Sequence, residues 1–419
     1  MSSFLLQMRP RSTRRLFASL LLLMTLLAFL GAIPVTASDS TEKEATRETM
    51  RVIFDNLRFL LRVDASGENL DSPRLREDVL MALRELDDQS AILASHGFSE
   101  DSGGMFLSSV LERYSLLLLR AYERGDTEQL QEFLYGMTDI CIACHTRLPS
   151  AQDSPVAKEF VDSSVVASLP QRKRMRIQMA TRRFEDALST MEALIESTDP
   201  ATPATLEDVL RAYLIINIRV KGDMERPIPM LELVAERADG PSVWGRDVQM
   251  WIKSLQELRE LPTIGSPLES AREIVAAADS SNFPSERSAL VEYIAASSLL
   301  HRYLESRPSD PLHVSEAHYL LGLSEFRIRR DEWLPHAELY LEVAIVLAPG
   351  AKWARPAYNL LEEKVQQTYG QSISGPPSEV VERLKELKQE IDGREPSAAG
   401  VPYRQKRDMD DERVVDILA

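Results

Sequence analysis

Leu130-Gln131-Glu132-Phe133-Leu134-Tyr135-Gly136-Met137-Thr138-Asp139-Ile140-Cys141-Ile142-Ala143-Cys144-His145 carries apolar side chains at 130, 133, 134, 137, 141 and 144. Spacings of three and four residues line one face of an α-helix. Both thiols therefore lie on the core-facing side, and Pro149 is expected to close the helix. These are the only two cysteines among 419 residues, and one of only six histidines follows them directly. Two cysteines scattered at random would fall three apart about once in 200 placements. Adding the histidine costs a further factor of about 70, on the order of 1 in 14,000 together.

The spacing suits one particular chemistry. Residues i and i+3 share a helix face, so two thiols can each add across one of the two vinyl groups of a single haem. The adjacent His145 can then ligate the iron. Cys141-x-x-Cys144-His145 resembles the attachment motif of c-type cytochromes, which implies one covalently held haem c. A thioredoxin-like redox pair would follow a strand in a βαβ unit, and no such pattern is visible. Half of a zinc site would need a second Cys or His pair at ligand spacing, which the chain lacks.

Three further apolar stripes precede the motif: Met50, Ile53, Phe54, Leu57, Leu60, Leu61; Leu75, Val79, Ala82, Leu83, Leu86, Leu93; and Phe106, Val110, Tyr114, Leu117, Leu118, Ala121. Breaks at 64–73, 97–104 and 124–126 separate them. Four amphipathic helices on short loops predict an up-down-up-down four-helix bundle over 42–149. In that topology Met50, His96 and Met105 share the end occupied by His145. The arrangement resembles the cytochrome c′ family and its low-spin relatives, whose haem motif lies near the end of the fourth helix. Arg47-Glu48-Thr49-Met50 and Asn56 resemble that family's first-helix pattern. The resemblance implies Met50 as the sixth ligand of the iron. Read from the residues alone, Met50 is equally a packing methionine, His96 and Met105 are rival ligands, and an open site is the remaining alternative.

Arg9, Arg11, Arg14 and Arg15 head an almost unbroken apolar run over 16–33, followed by Val35-Thr36-Ala37-Ser38. Residues 1–37 are expected to be a signal peptide cleaved after Ala37, with an uncleaved membrane anchor as the alternative. The remaining chain is then expected in the bacterial periplasm. The net charge of −16 disfavours a broad nucleic-acid-binding face. With 6% aromatic residues and no long alternating β-branched runs, an all-β fold is also disfavoured.

Residues 150–174 read as a linker, with a short helix within it as the alternative. Arg172, Lys173, Arg174, Arg176, Arg182 and Arg183 crowd the stretch 171–184, either a docking patch or a solvated helix face. From 175 to 392, prolines cut the chain into helix-length pieces. Ala296, Leu300, Tyr303 and Pro308 repeat the spacing of Ala337, Leu341, Ala344 and Pro349, with Ala187, Met191 and Leu194 as a looser copy. Residues 315–350, containing Leu321-Gly322, resemble a tetratricopeptide repeat. Stacked hairpins of that kind imply an α-α solenoid. Residues 393–419 read as a disordered tail, with a short docking helix at 414–418 as a weaker reading.

No nucleotide-binding, metalloprotease or nucleophile-elbow motif occurs, and His301, His313, His318 and His336 are too scattered to read as a metal cluster. The expectation is an all-α protein that is not an enzyme: an exported monohaem c-type cytochrome exchanging electrons with a periplasmic or membrane-bound protein docked on its helical repeats. The alternatives are a small-gas sensor with an open sixth site, and a scaffold whose haem is structural.

Overall fold

The computed structural model describes residues 36–66, 70, 72–96, 102–149, 153–197, 203–237, 243–260, 265–279, 286–328, 336–370 and 375–393, with His96 described by its backbone alone. The described residues form seventeen α-helices, one π-helix and one 3-10 helix, with no strand among them. The all-α expectation holds. No described helix is long and apolar enough to cross a membrane. The apolar run at 16–33, the tail beyond 393 and the short helix expected at 414–418 lie outside the described residues. The chain divides into two compact units, residues 1–48 and 49–419. In the first, the described residues begin helix α1, where Arg47 pairs with Glu44 at 3.2 Å. The second holds the rest of the molecule.

The four predicted stripes form α1 (Thr36–Ala65), α2 (Arg76–His96), α3 (Ser102–Arg124) and α4 (Thr127–His145). Ile53, Leu60, Val79, Leu83, Leu118, Leu134 and Met137 are all buried in one apolar cluster that also contains Cys141. Successive helices run antiparallel. Tyr122, near the end of α3, donates its hydroxyl to the Leu70 carbonyl before α2 at 3.2 Å. Asp64, at the end of α1, accepts from Gln131 at 2.8 Å and from Tyr135 at 2.9 Å, both early in α4. Asp126 caps α4 by accepting from the Gln129 amide at 3.1 Å, offsetting one of the unpaired donors of the first turn.

One boundary differs from expectation. Gly103 and Gly104, assigned to the break at 97–104, lie in the first turn of α3. A Cβ on Gly103 would sit 2.5 Å from the Tyr340 hydroxyl and 3.0 Å from the Arg147 guanidinium carbon. The glycine is needed for that close approach rather than for a turn.

The stretch read as a linker carries α5 (Lys158–Val161) and α6 (Ser164–Ala167). Phe160, Val161 and Val166 are buried, and Phe160 meets Phe54 of α1 edge-on with centroids 6.3 Å apart. Then α7 (Gln171–Ala180) packs on α4, and α8 (Phe184–Ser197) packs on α7. The basic stretch is part solvated and part tied to its neighbours: Arg172, Lys173 and Arg182 are exposed, while Arg174, Arg176 and Arg183 are half-buried. Arg176 pairs with Asp139, Lys173 lies 4.4 Å over the Tyr135 ring, and Arg183 bonds Asp186 at 2.7 Å.

The α9 helix (Pro203–Ile215) runs into a π-helix (Ile216–Lys221) that ends at left-handed Gly222. Asn217 bonds back to the Tyr213 carbonyl at 2.9 Å, competing with the regular ladder. The widened turn brings Arg219 fully inside. Next come α10 (Pro227–Arg237), α11 (Val243–Glu260), α12 (Pro267–Ala278), a 3-10 turn (Glu286–Ala289), α13 (Leu290–Glu305), α14 (Pro311–Ile328), α15 (His336–Leu347), α16 (Ala354–Tyr369) and α17 (Ser378–Asp392). From α12 to α17 each helix packs on the next. The repeated positions Ala296, Leu300, Leu341 and Ala344 are buried, and Gly322 lets α14 close on Leu341 of α15, where a Cβ would meet its side chain at 2.7 Å. The α15 helix also packs on α3, with the His336 and Phe106 rings 6.3 Å apart.

Candidate functional site

Cys141, Cys144 and His145 occupy the last turn of α4. Thr146 stops the helix: its amide and its hydroxyl both donate to the Ile142 carbonyl, at 2.9 and 2.8 Å. The helix therefore ends at His145 itself, ahead of Pro149. Neither cysteine is in a disulfide. Cys141 is buried, whereas Cys144 and His145 are half-buried, so the motif presents one edge to the surface. Burial, with Cys144 and Asp139 nearby, pushes the Cys141 thiol up to about 12. A thiol held protonated is a weak thiolate nucleophile at neutral pH.

The histidine is oriented from a distance. Its Nδ1 bonds the carbonyl oxygen of Ala180 at 2.9 Å. A carbonyl can only accept, so Nδ1 carries the proton and Nε2 keeps the lone pair. Ala180 is the last residue of α7. Its carbonyl belongs to the group a helix leaves without an internal partner, at the negative end of the helix dipole. Burial, assisted by Arg182 and opposed by the Ala180 bond, lowers the His145 imidazole to about 4. At neutral pH the ring is uncharged, with Nε2 able to bind a metal. A second group that fixes the tautomer and raises ligand basicity is the usual support of a ligating histidine.

What sequence reasoning missed is that α7 packs on α4 and so reaches His145. Lys173 and Arg176 stand three apart, matching Tyr135 and Asp139, four apart on α4. That pairing is visible only once the two helices are known to touch.

The other candidates are placed as follows. Met50 is half-buried in α1, against the core cluster that contains Cys141. Met105 is half-buried in the first turn of α3, where its carbonyl accepts from Ser108 and Ser109. His96 is the last residue of α2, and its side chain lies outside the described residues. His313 is exposed and bonded to Asp310 at 2.9 Å. His301 and His318 flank the Tyr340 ring, with centroids 5.9 and 6.1 Å away. Among the described residues no set of three or more His, Cys, Asp or Glu side chains is arranged to hold a metal ion. Compared with protein-family models, with curated proteins and with solved structures, the chain matches none.

Proposed function

We propose that this chain is an exported monohaem c-type cytochrome in which Cys141 and Cys144 hold haem c through thioethers and His145 ligates the iron. The observation that carries this is the pairing of the Cys-x-x-Cys-His motif, on one helical turn, with an imidazole whose Nδ1 proton is fixed by the Ala180 carbonyl. The donor set fits the group. Two thiols outside any disulfide sit at i and i+3, the first held as a neutral thiol, and Nε2 is left for the iron. The bound haem supplies one-electron redox chemistry. The chain's own residues would anchor it through Cys141 and Cys144 and hold the ligand tautomer through the Ala180 carbonyl.

In this proposal α1–α4 are a cytochrome c′-like four-helix haem bundle, a reading supported by the antiparallel bonds at Tyr122 and Asp64. Helices α12–α17 are a tetratricopeptide-like stack on which a periplasmic or membrane-bound redox protein docks, supported by their sequential pairwise packing. The protein is an electron carrier rather than an enzyme, and Met50 is the sixth ligand.

The test is production of the exported chain alongside c-type haem maturation machinery, followed by mass spectrometry and a visible spectrum. The expected product is coloured and heavier than the processed polypeptide by one haem. Cys141→Ser with Cys144→Ser should abolish that increment. A colourless wild-type product of bare-chain mass overturns the proposal. Met50→Ala should convert a low-spin spectrum to a high-spin one that binds carbon monoxide; an unchanged spectrum removes Met50 from the ligand set.

A further inference from the structure

Elements far apart in sequence deliver polar side chains to one buried point. Arg219 comes from the π-helix, Ser297 and His301 from α13, Glu325 from α14 and Tyr340 from α15, and none is more than 4% exposed. Arg219 donates to Glu325 Oε1 at 2.7 Å and also bonds the Ser297 hydroxyl. His301 Nε2 lies 3.7 Å from the same Glu325 oxygen, beyond good hydrogen-bond reach. Its Nδ1 is buried with no hydrogen-bond partner among the described residues. The imidazole is thus poorly satisfied while neutral, yet sits beside a carboxylate that would welcome its proton.

This point is joined to the candidate site. Arg147, two residues beyond His145, is itself buried. Its guanidinium and the Tyr340 hydroxyl both close on Gly103. Arg147 and Arg219 act on His301 electrostatically against protonation, and Glu325 acts for it. Burial is the largest influence, and with the two arginines it outweighs Glu325 and lowers the His301 imidazole to about 4. Of the other helices packed on α13, α9 and α11 bring charges to the 3-10 turn before it, where Glu207 pairs with Arg287 and Asp247 accepts from Ser288, and Asp279 after α12 accepts from Tyr293 in its first turn. Glu292 also lies there and bonds Ser254 of α11, with Lys253 and Glu257 nearby. At its C-terminal end Arg272 of α12 pairs with Glu316 of α14 at 2.9 Å, Glu316 and Asp310 act on Tyr303, and His318 of α14 stands beside the Tyr340 ring. On top of its burial, the charges that act on His301 itself are Glu325, Arg147 and Arg219.

We propose that His301, beside Glu325, is a proton-loading site filled when the iron bound at His145 is reduced, an inference that rests on the haem proposal. One electron reaches the iron from an external one-electron donor. His301 takes one proton from bulk solvent: an N–H bond forms on the ring, an O–H bond of hydronium breaks, and no further group is oxidised or reduced. The added negative charge at the end of α4 offsets the field of Arg147 and Arg219, and the new N–H faces Glu325.

The test is a redox titration of the full-length haem protein between about pH 4 and pH 8, followed through its visible spectrum. The midpoint should fall as pH rises, approaching about 59 mV for each tenfold drop in proton concentration. His301→Gln should flatten the profile while leaving the spectrum intact. A coloured protein whose midpoint ignores pH, or a slope that survives His301→Gln, overturns the inference while leaving the haem proposal standing. If the variant fails to fold, nitrogen-15 histidine NMR of the wild type decides. His301 should titrate at higher pH in the reduced protein, and identical titration in both oxidation states overturns the inference. A colourless product overturns both proposals at once.

Discussion

The helices α2 and α14 are of similar length but are built in opposite ways. In α2, Val79, Ala82, Leu83, Leu86 and Leu93 are buried while Met81, Arg84, Glu85 and Asp88 face water. In α14 every residue from 315 to 326 except Tyr319 is buried, including Glu316, His318, Ser324 and Glu325. The first is a one-sided helix whose apolar stripe tells where it packs. The second is enclosed by neighbours, so its polar residues must find partners inside: Glu316 with Arg272 at 2.9 Å, Glu325 with Arg219, and Ser315 with the Ala344 carbonyl at 2.7 Å. Hydrophobic burial places α2, and polar complementarity sets the register of α14.

The sharpest way to break this contrast is Arg219→Ala. Leaving Glu325 buried without its partner should cost about 3–5 kcal/mol, whereas replacing both members with apolar residues of similar volume should recover most of the loss. Chemical denaturation of the two variants measures the difference. Equal losses in both would show that packing, rather than pairing, holds α14.

A second test uses Glu292, buried on α13. Burial is the main cause that raises its carboxyl to about 7, with the Ser254 bond opposing. Because the folded value lies above the unfolded one, the stability it contributes is complete below about pH 4.5 and is lost as pH climbs through about 7. Glu292→Gln should match the wild type at low pH and exceed it by up to about 3 kcal/mol near pH 8. An advantage independent of pH would sink the assignment. The smallest effect is expected at the junction between the two regions, where Gly103→Ala must push against Tyr340 and Arg147. That should cost about 1–3 kcal/mol, read as a lowered melting temperature, and an unchanged transition would mean the contact is slack.

Legibility differed in the same way. The three stripes before the motif, the stripe that carries it, and the repeated Ala296/Leu300 and Ala337/Leu341 positions pack into the core because each marks one face of a helix. The start of α3 was misjudged because Gly103 serves a contact with Tyr340, more than two hundred residues away, and not a turn. The stretch 171–184 is in part the solvated helix face its arginines and lysines suggest, with Arg172, Lys173 and Arg182 exposed, but it also packs on α4. Its partners Asp139 and Tyr135 lie on α4, where no local pattern connects them to it.

The residue order alone dictated a helical chain, and it put Cys141, Cys144 and His145 on a single turn, since backbone geometry repeats every 3.6 residues whatever surrounds it. Only the folded chain decided which nitrogen of His145 carries the proton, through a carbonyl thirty-five residues further on, and gathered Arg219, His301 and Glu325 at one point. Those outcomes depend on which helices stack, and stacking is a property of the whole set of surfaces, not of any one segment.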